Sequence, residues 1–93
     1  MHVSWDFRKA HLNWEKHGVS FEEAATVILA PMTVTIEDSS SKGEQRLVTI
    51  GISVRVRVII VVYSYREEDE IRIISARKAT KKEQDFYEKR VRL

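Results

Sequence analysis

The sequence predicts an α+β domain: a largely antiparallel four-stranded sheet, preceded by a short strand and two helices and followed by one helix. Three observations carry this. Apolar residues between Phe7 and Ile28 recur at helical spacing, with capping residues at each boundary. After Pro31 the period changes to two and β-branched residues dominate. The four strand segments are joined by short connections, which favours antiparallel neighbours with helices packed mainly on one face.

Taken in order, His2–Trp5 reads as a short strand and Asp6 as a helix N-cap. On the first helix Phe7, Ala10 and Trp14 share the stripe expected to face the core. Lys9, Asn13 and Lys16 form a second stripe about a third of a turn away, with His17 between the two. Gly18 supplies the C-cap. Ser20 and Glu23 make a capping box for a second helix built on Phe21, Ala24, Ala25, Val27 and Ile28, which Pro31 stops. Thr33–Glu37 is then a strand and Asp38–Gly43 a serine-rich loop. Arg46–Ser53 and Arg55–Tyr65 are strands, with Gly51 marking a bulge or a close approach. Val58–Val62 is apolar on both faces, so that strand is central.

Arg66–Asp69 forms a charged hairpin loop into Glu70–Thr80, the segment around which the chain is organised. Strict alternation puts Ile71, Ile73, Ser75 and Arg77 on one face and Arg72, Ile74, Ala76 and Lys78 on the other. Two cations therefore stand at its carboxyl end. Thr80-Lys81-Lys82-Glu83 follows as a capping box, opening a helix to Val91 docked by Phe86, Tyr87 and Val91. Lysines at the positive end of a helix are unfavourable by a few tenths of a kcal/mol each. Their presence beside Arg77 and Lys78 points to an anion such as phosphate.

Ninety-three residues make one domain, 1–93, that buries roughly 60–65% of its unfolded surface. There is no cysteine, so disulfides and thiolate metal sites are excluded. The start of the chain lacks the apolar stretch of a signal peptide, and Val58–Tyr63 is too short to span a membrane, so a cytoplasmic location is expected. Net charge is +2, unevenly spread: residues 1–44 carry −3 and residues 72–93 carry +5. A basic end suits a nucleic-acid or acidic-protein partner, or is simply a solvated helix face.

Several stretches resemble the BrnT family of toxins: Trp5-Asp6, Lys9, Asn13, Lys16–Ala24, Glu44-Gln45-Arg46, Ile50-Gly51 and Ile71–Thr80. The resemblance runs from Trp5 to about Glu88. It implies a RelE-like fold, ribonuclease activity and membership of a type II toxin–antitoxin pair. It also implies a BrnA-like antitoxin partner with a ribbon-helix-helix part, through which alone the toxin reaches operator DNA. Two turn positions depart from the family pattern. Leu29-Ala30 precede Pro31 where an acidic residue is usual, and Val56 precedes Arg57 where glycine is usual.

Metal-free RNA cleavage by a 2′-hydroxyl needs a base for that hydroxyl, a cation for the phosphoryl oxygens and an acid for the leaving 5′-oxygen. Arginine suits the second task because its planar fork grips phosphate and keeps its charge. Arg77, His17, Lys78 and Glu22 are the catalytic candidates; Lys9, Asn13, Lys16, Arg46 and Lys81 are candidates for holding RNA phosphates. Each has a plainer alternative. Arg77 and Lys78 could be solvated, His17 could cap a helix, Lys9 and Lys16 could be a wet helix face, and Arg46 could protect a strand edge. Arg72 reads as structural. No metal motif or phosphate-binding glycine loop appears, and no cofactor is expected. The alternative to an enzyme is a non-catalytic basic module that binds a protein or nucleic acid.

Overall fold

A computed structural model describes residues 2–38, 45–66 and 69–92. Its elements run β1 (His2–Ser4), α1 (Phe7–His17), α2 (Phe21–Ile28), β2 (Val34–Glu37), β3 (Arg46–Ile52), β4 (Val58–Arg66), β5 (Glu70–Lys78) and α3 (Lys81–Val91). The centres of the loop expected over Asp38–Gly43 and of the hairpin expected over Arg66–Asp69 lie outside the described residues. Among the described residues no helix is long and apolar enough to cross a membrane.

Local chemistry sets the helix boundaries. The Asp6 carboxylate accepts from the Arg8 and Lys9 amides at 2.8 and 3.1 Å, and Gly18 closes α1 at φ +67°. Ser20 Oγ accepts from the Glu23 amide, but the Glu23 side chain turns elsewhere, so only half of that expected box forms. The Thr80–Glu83 box is complete.

The sheet has five strands in the order β1-β5-β4-β3-β2, not four with a separate short one. β1 joins as a parallel edge partner of β5, Val3 opposite Ile71, and the other neighbours are antiparallel. Helices α1 and α2 cover one face, where Val19, Phe21, Ala24 and Val27 pack on Ile59, Val61, Tyr63, Ile71, Ile73 and Ala76. α3 lies on the opposite face, where Tyr87 packs with Ile50, Ile60 and Ala79. Phe86, expected to dock α3, is 47% exposed; Tyr87 and Val91 do that work.

Strict alternation along β5 fails at one place. Val62 pairs with Ser75 but Tyr63 pairs with Ile73, so Ile74 is an extra residue. Beyond this bulge the faces exchange. Ala76 joins Ile71 and Ile73 in the α1–α2 core, while Arg77, opposite Ile60, faces α3 with Arg72 and Ser75. Gly51 is a close approach and not a bulge, since a Cβ there would lie 2.9 Å from Thr33 Cγ2 and 3.3 Å from Val27 Cγ1.

Candidate active site

Arg77 ends β5 on the α3 face. Its Nη1 and Nη2 donate to the two Glu83 oxygens at 2.8 and 2.9 Å, and Nη1 makes a long 3.4 Å contact with the Lys78 carbonyl. Glu83 is itself fixed, because Oε1 also accepts from the Thr80 amide at 2.9 Å. Hydrogen bonds from Arg77 and then Thr80 hold the Glu83 carboxyl down at about 2. Of the five guanidinium N–H groups, Nε–H and one on Nη2 remain along one edge, the side-on fork that fits two phosphate oxygens. Beside the pair opens a cavity of about 170 Å³ lined by Ile36, Val48, Ile50, Ile60 and Phe86. Lys81 stands at the start of α3, exposed and paired with Asp85 at 3.1 Å.

α1 approaches the same strand from the other side. Asn13 is 7% exposed and bonds the backbone of Ala76 twice, accepting from its N–H at 3.1 Å and donating to its C=O at 2.8 Å. A second Asn13 donor reaches the Val19 carbonyl at 2.9 Å. Asn13 is expected on an RNA-binding ridge; its amide is engaged by Ala76 of β5 and by the Val19 carbonyl just after α1. The helix rotates accordingly: Phe7 is 84% exposed and Trp14 50%, so these two do not form the buried stripe their spacing suggests. Lys9 and Lys16 are exposed and His17 is half-buried, one turn beyond Asn13. Lys78, opposite Ile59, belongs to the α1–α2 side of β5. Asn13 thus brings α1 within one residue of Arg77, while Arg77 and Lys78 leave the strand on opposite faces.

The remaining candidates lie apart from Arg77 or outside the contacts around it. Arg46 pairs with Ser64, four residues along β4 from the Ile60 that faces Arg77, or about 13 Å at roughly 3.3 Å per residue. Glu22 is exposed at the start of α2. Its neighbour Glu23 has the deeper role: its side chain is 3% exposed and accepts from Ser53 Oγ at 2.7 Å and Arg57 Nε at 3.0 Å, with a further bond to Arg57 Nη2. Arg57 Nη2 also donates to the Gly18 carbonyl at 3.1 Å, so this pair ties the end of α1 to the β3–β4 hairpin. Burial pushes the Glu23 carboxyl up, but the bonds from Arg57 and Ser53 outweigh it and leave it low. Among the described residues no three histidine, aspartate or glutamate side chains gather as a metal site.

The family model for the ribonuclease toxin BrnT of type II toxin–antitoxin systems matches residues 5–83. The chain belongs to the BrnT family. Its fold is similar to the crystal structure of the Brucella abortus ribonuclease toxin BrnT, with a TM-score of 0.68 and 24% sequence identity over 87% of this chain and 99% of that one. No curated protein sequence matches.

The turns at Val56 and Met32 hold left-handed residues other than glycine. Val56 adopts φ +59°, and its amide closes the hairpin onto the Ser53 carbonyl at 2.8 Å. A β-branched side chain in the left-handed region is a strained conformation. After Leu29-Ala30 and Pro31, Met32 is likewise left-handed at φ +57°. Arg57 and Glu23 were missed as a unit because 34 residues separate them and Glu23 already had a local explanation. The arginine following a turn was the available signal.

Proposed function

We propose that this BrnT-family toxin is a metal-independent endoribonuclease with a RelE-like fold that cleaves RNA by attack of the 2′-hydroxyl on the adjacent phosphorus. The bond from the 2′-oxygen to phosphorus forms as the bond to the 5′-oxygen breaks, leaving a 2′,3′-cyclic phosphate. The 2′-proton passes to a base and the 5′-oxygen receives one from an acid. One observation carries this reading: Glu83 holds Arg77 bidentately and leaves the Nε edge of the guanidinium open for phosphoryl oxygens. Because Glu83 stays ionised at neutral pH, the arginine is positioned before substrate arrives. His17, Lys78 and Glu22 are the proton-transfer groups in this reading, with Lys9, Lys16 and Lys81 adding positive charge.

In the cytoplasm such cleavage would arrest translation and growth. A BrnA-like ribbon-helix-helix antitoxin would neutralise it and would carry the complex to operator DNA. The test incubates pure protein with RNA in chelator. Fragments ending in 2′,3′-cyclic or 3′-phosphate are expected, and Arg77→Ala should lose about a few hundredfold in activity while still unfolding cooperatively, with a melting temperature only about 4–8 °C lower from loss of the Glu83 pair. Cleavage that disappears in chelator and returns with magnesium would refute the mechanism. Growth arrest by wild type and Arg77→Ala alike would favour a non-catalytic binding module.

A further inference from the structure

α3 covers only one end of its face of the sheet. It starts beside Arg77 at the end of β5, and the Tyr87 hydroxyl donates to the Met32 carbonyl just before β2, so the helix crosses that end from β5 to β2. Past it the same face presents Val48 and Val62, both only half-buried. Next comes a row fixed by register, with Arg46 opposite Ser64 and Ser64 opposite Arg72.

The polar groups of this row are incompletely satisfied. Ser64 is 1% exposed, and neither its Oγ nor the buried Arg46 Nε has a hydrogen-bond partner among the described residues. Among the described residues neither Arg46 nor Arg72 forms an ion pair. Two acids lie near. Asp6 feels the charge of Arg72, but its carboxylate is engaged by the Arg8 and Lys9 amides. Glu70, two residues before Arg72 on its face, accepts from Ser4 Oγ at 3.0 Å. An anion placed between two like charges offsets their repulsion and can accept from a hydroxyl that has no other partner.

The row lies on the same face as Arg77, about 13 Å away at the rise of a strand. The floor between the two basic ends is apolar, bordered by the half-exposed ring of Phe86 and by Ile36. That alternation of cation, apolar surface and cation matches single-stranded RNA, whose phosphates flank bases with stacking faces. We propose that Arg46, Ser64 and Arg72 form a second phosphate site. RNA then crosses the open half of this face, one phosphate at Arg77, a later one at the row and an intervening base laid on Phe86 and Val48. The inference rests on the ribonuclease reading for its choice of ligand and is tested by binding alone.

The probe is a 2′-O-methyl oligoribonucleotide, which lacks the attacking hydroxyl, long enough to reach both ends and followed by fluorescence anisotropy at several salt concentrations. Arg46→Gln and Arg72→Gln should each weaken binding about 5- to 10-fold and lower the slope of log K against log salt by about one. Arg72→Lys should fall between, since it keeps charge and loses the fork. Arg8→Gln, an equal loss of charge on α1, is the control and should change little. Row variants that bind as the control does, with melting temperatures equal to wild type, would overturn the second site while leaving cleavage at Arg77 untouched. Row variants that keep oligonucleotide affinity but lose the antitoxin would also overturn it and assign the face to a protein. A wild type that binds the probe through the row yet never cuts RNA would instead overturn the enzyme reading alone.

Discussion

On the face covered by α1 and α2, every buried polar group that joins helix to sheet has a partner. Glu23 meets Arg57 and Ser53, and Asn13 meets Ala76 and Val19. On the face shared with α3, Ser64 Oγ and Arg46 Nε are buried without one among the described residues, and Ile36 and Phe86 stand half-exposed over an apolar floor. The two faces belong to one sheet and differ in whether their polar groups are satisfied within the chain. A face whose polar groups are satisfied internally holds the fold together. A face that leaves them open is suited to a ligand.

The sharpest way to break this contrast is to remove one arginine from each face. Arg57→Ala strands a buried carboxylate and should cost about 3–5 kcal/mol of unfolding free energy in a urea titration. Arg72→Ala, on the open face, should stay within about 0.5 kcal/mol. Equal losses would erase the distinction. A smaller effect concerns pH. The Glu83 carboxyl lies at about 2 in the folded protein against 4.5 as its ordinary value, so its ion pair stabilises fully above 4.5. That contribution is lost as pH falls from 4.5 through about 2. Because the pair is partly exposed, solvent screening reduces the contribution to about 1 kcal/mol. Glu83→Gln should therefore lose less stability than wild type over that acid window, and identical acid curves would contradict the pair's role. Comparable in size is Val56→Gly, which removes a left-handed valine beside Arg57 and should stabilise by about 1 kcal/mol. A lower melting midpoint would mean that the valine side chain contributes more than its backbone costs.

Features governed by near neighbours were legible in the sequence. Asp6, Gly18 and Thr80 cap helices as their types and spacing suggest, and the eight elements fall in the expected order. What escaped depends on partners far along the chain. Helical spacing chose Phe7 and Trp14 for the core because apolar periodicity cannot foresee a strand edge needing the Asn13 amide. The Ile74 bulge reversed the expected faces of Arg77 and Ala76, since a single extra residue leaves no mark in alternation among so many β-branched side chains. β1 looked detached because its partner arrives nearly 70 residues later, at Glu70–Arg72. Arg77 was legible as a strand-end cation, whereas its bidentate partner was read only as half of a capping box.

The Asn13 amide has a consequence for how copies of this protein behave at high concentration. β1 spans only the first part of β5, leaving a stretch of bare edge farther on. A carboxamide offers one acceptor and two donors, so it can satisfy a backbone N–H and C=O much as one residue of a neighbouring strand would. By meeting both groups of Ala76, Asn13 acts as a one-residue sixth strand. It denies that edge to the backbone of another copy, and so to the edge-to-edge stacking through which exposed sheets aggregate.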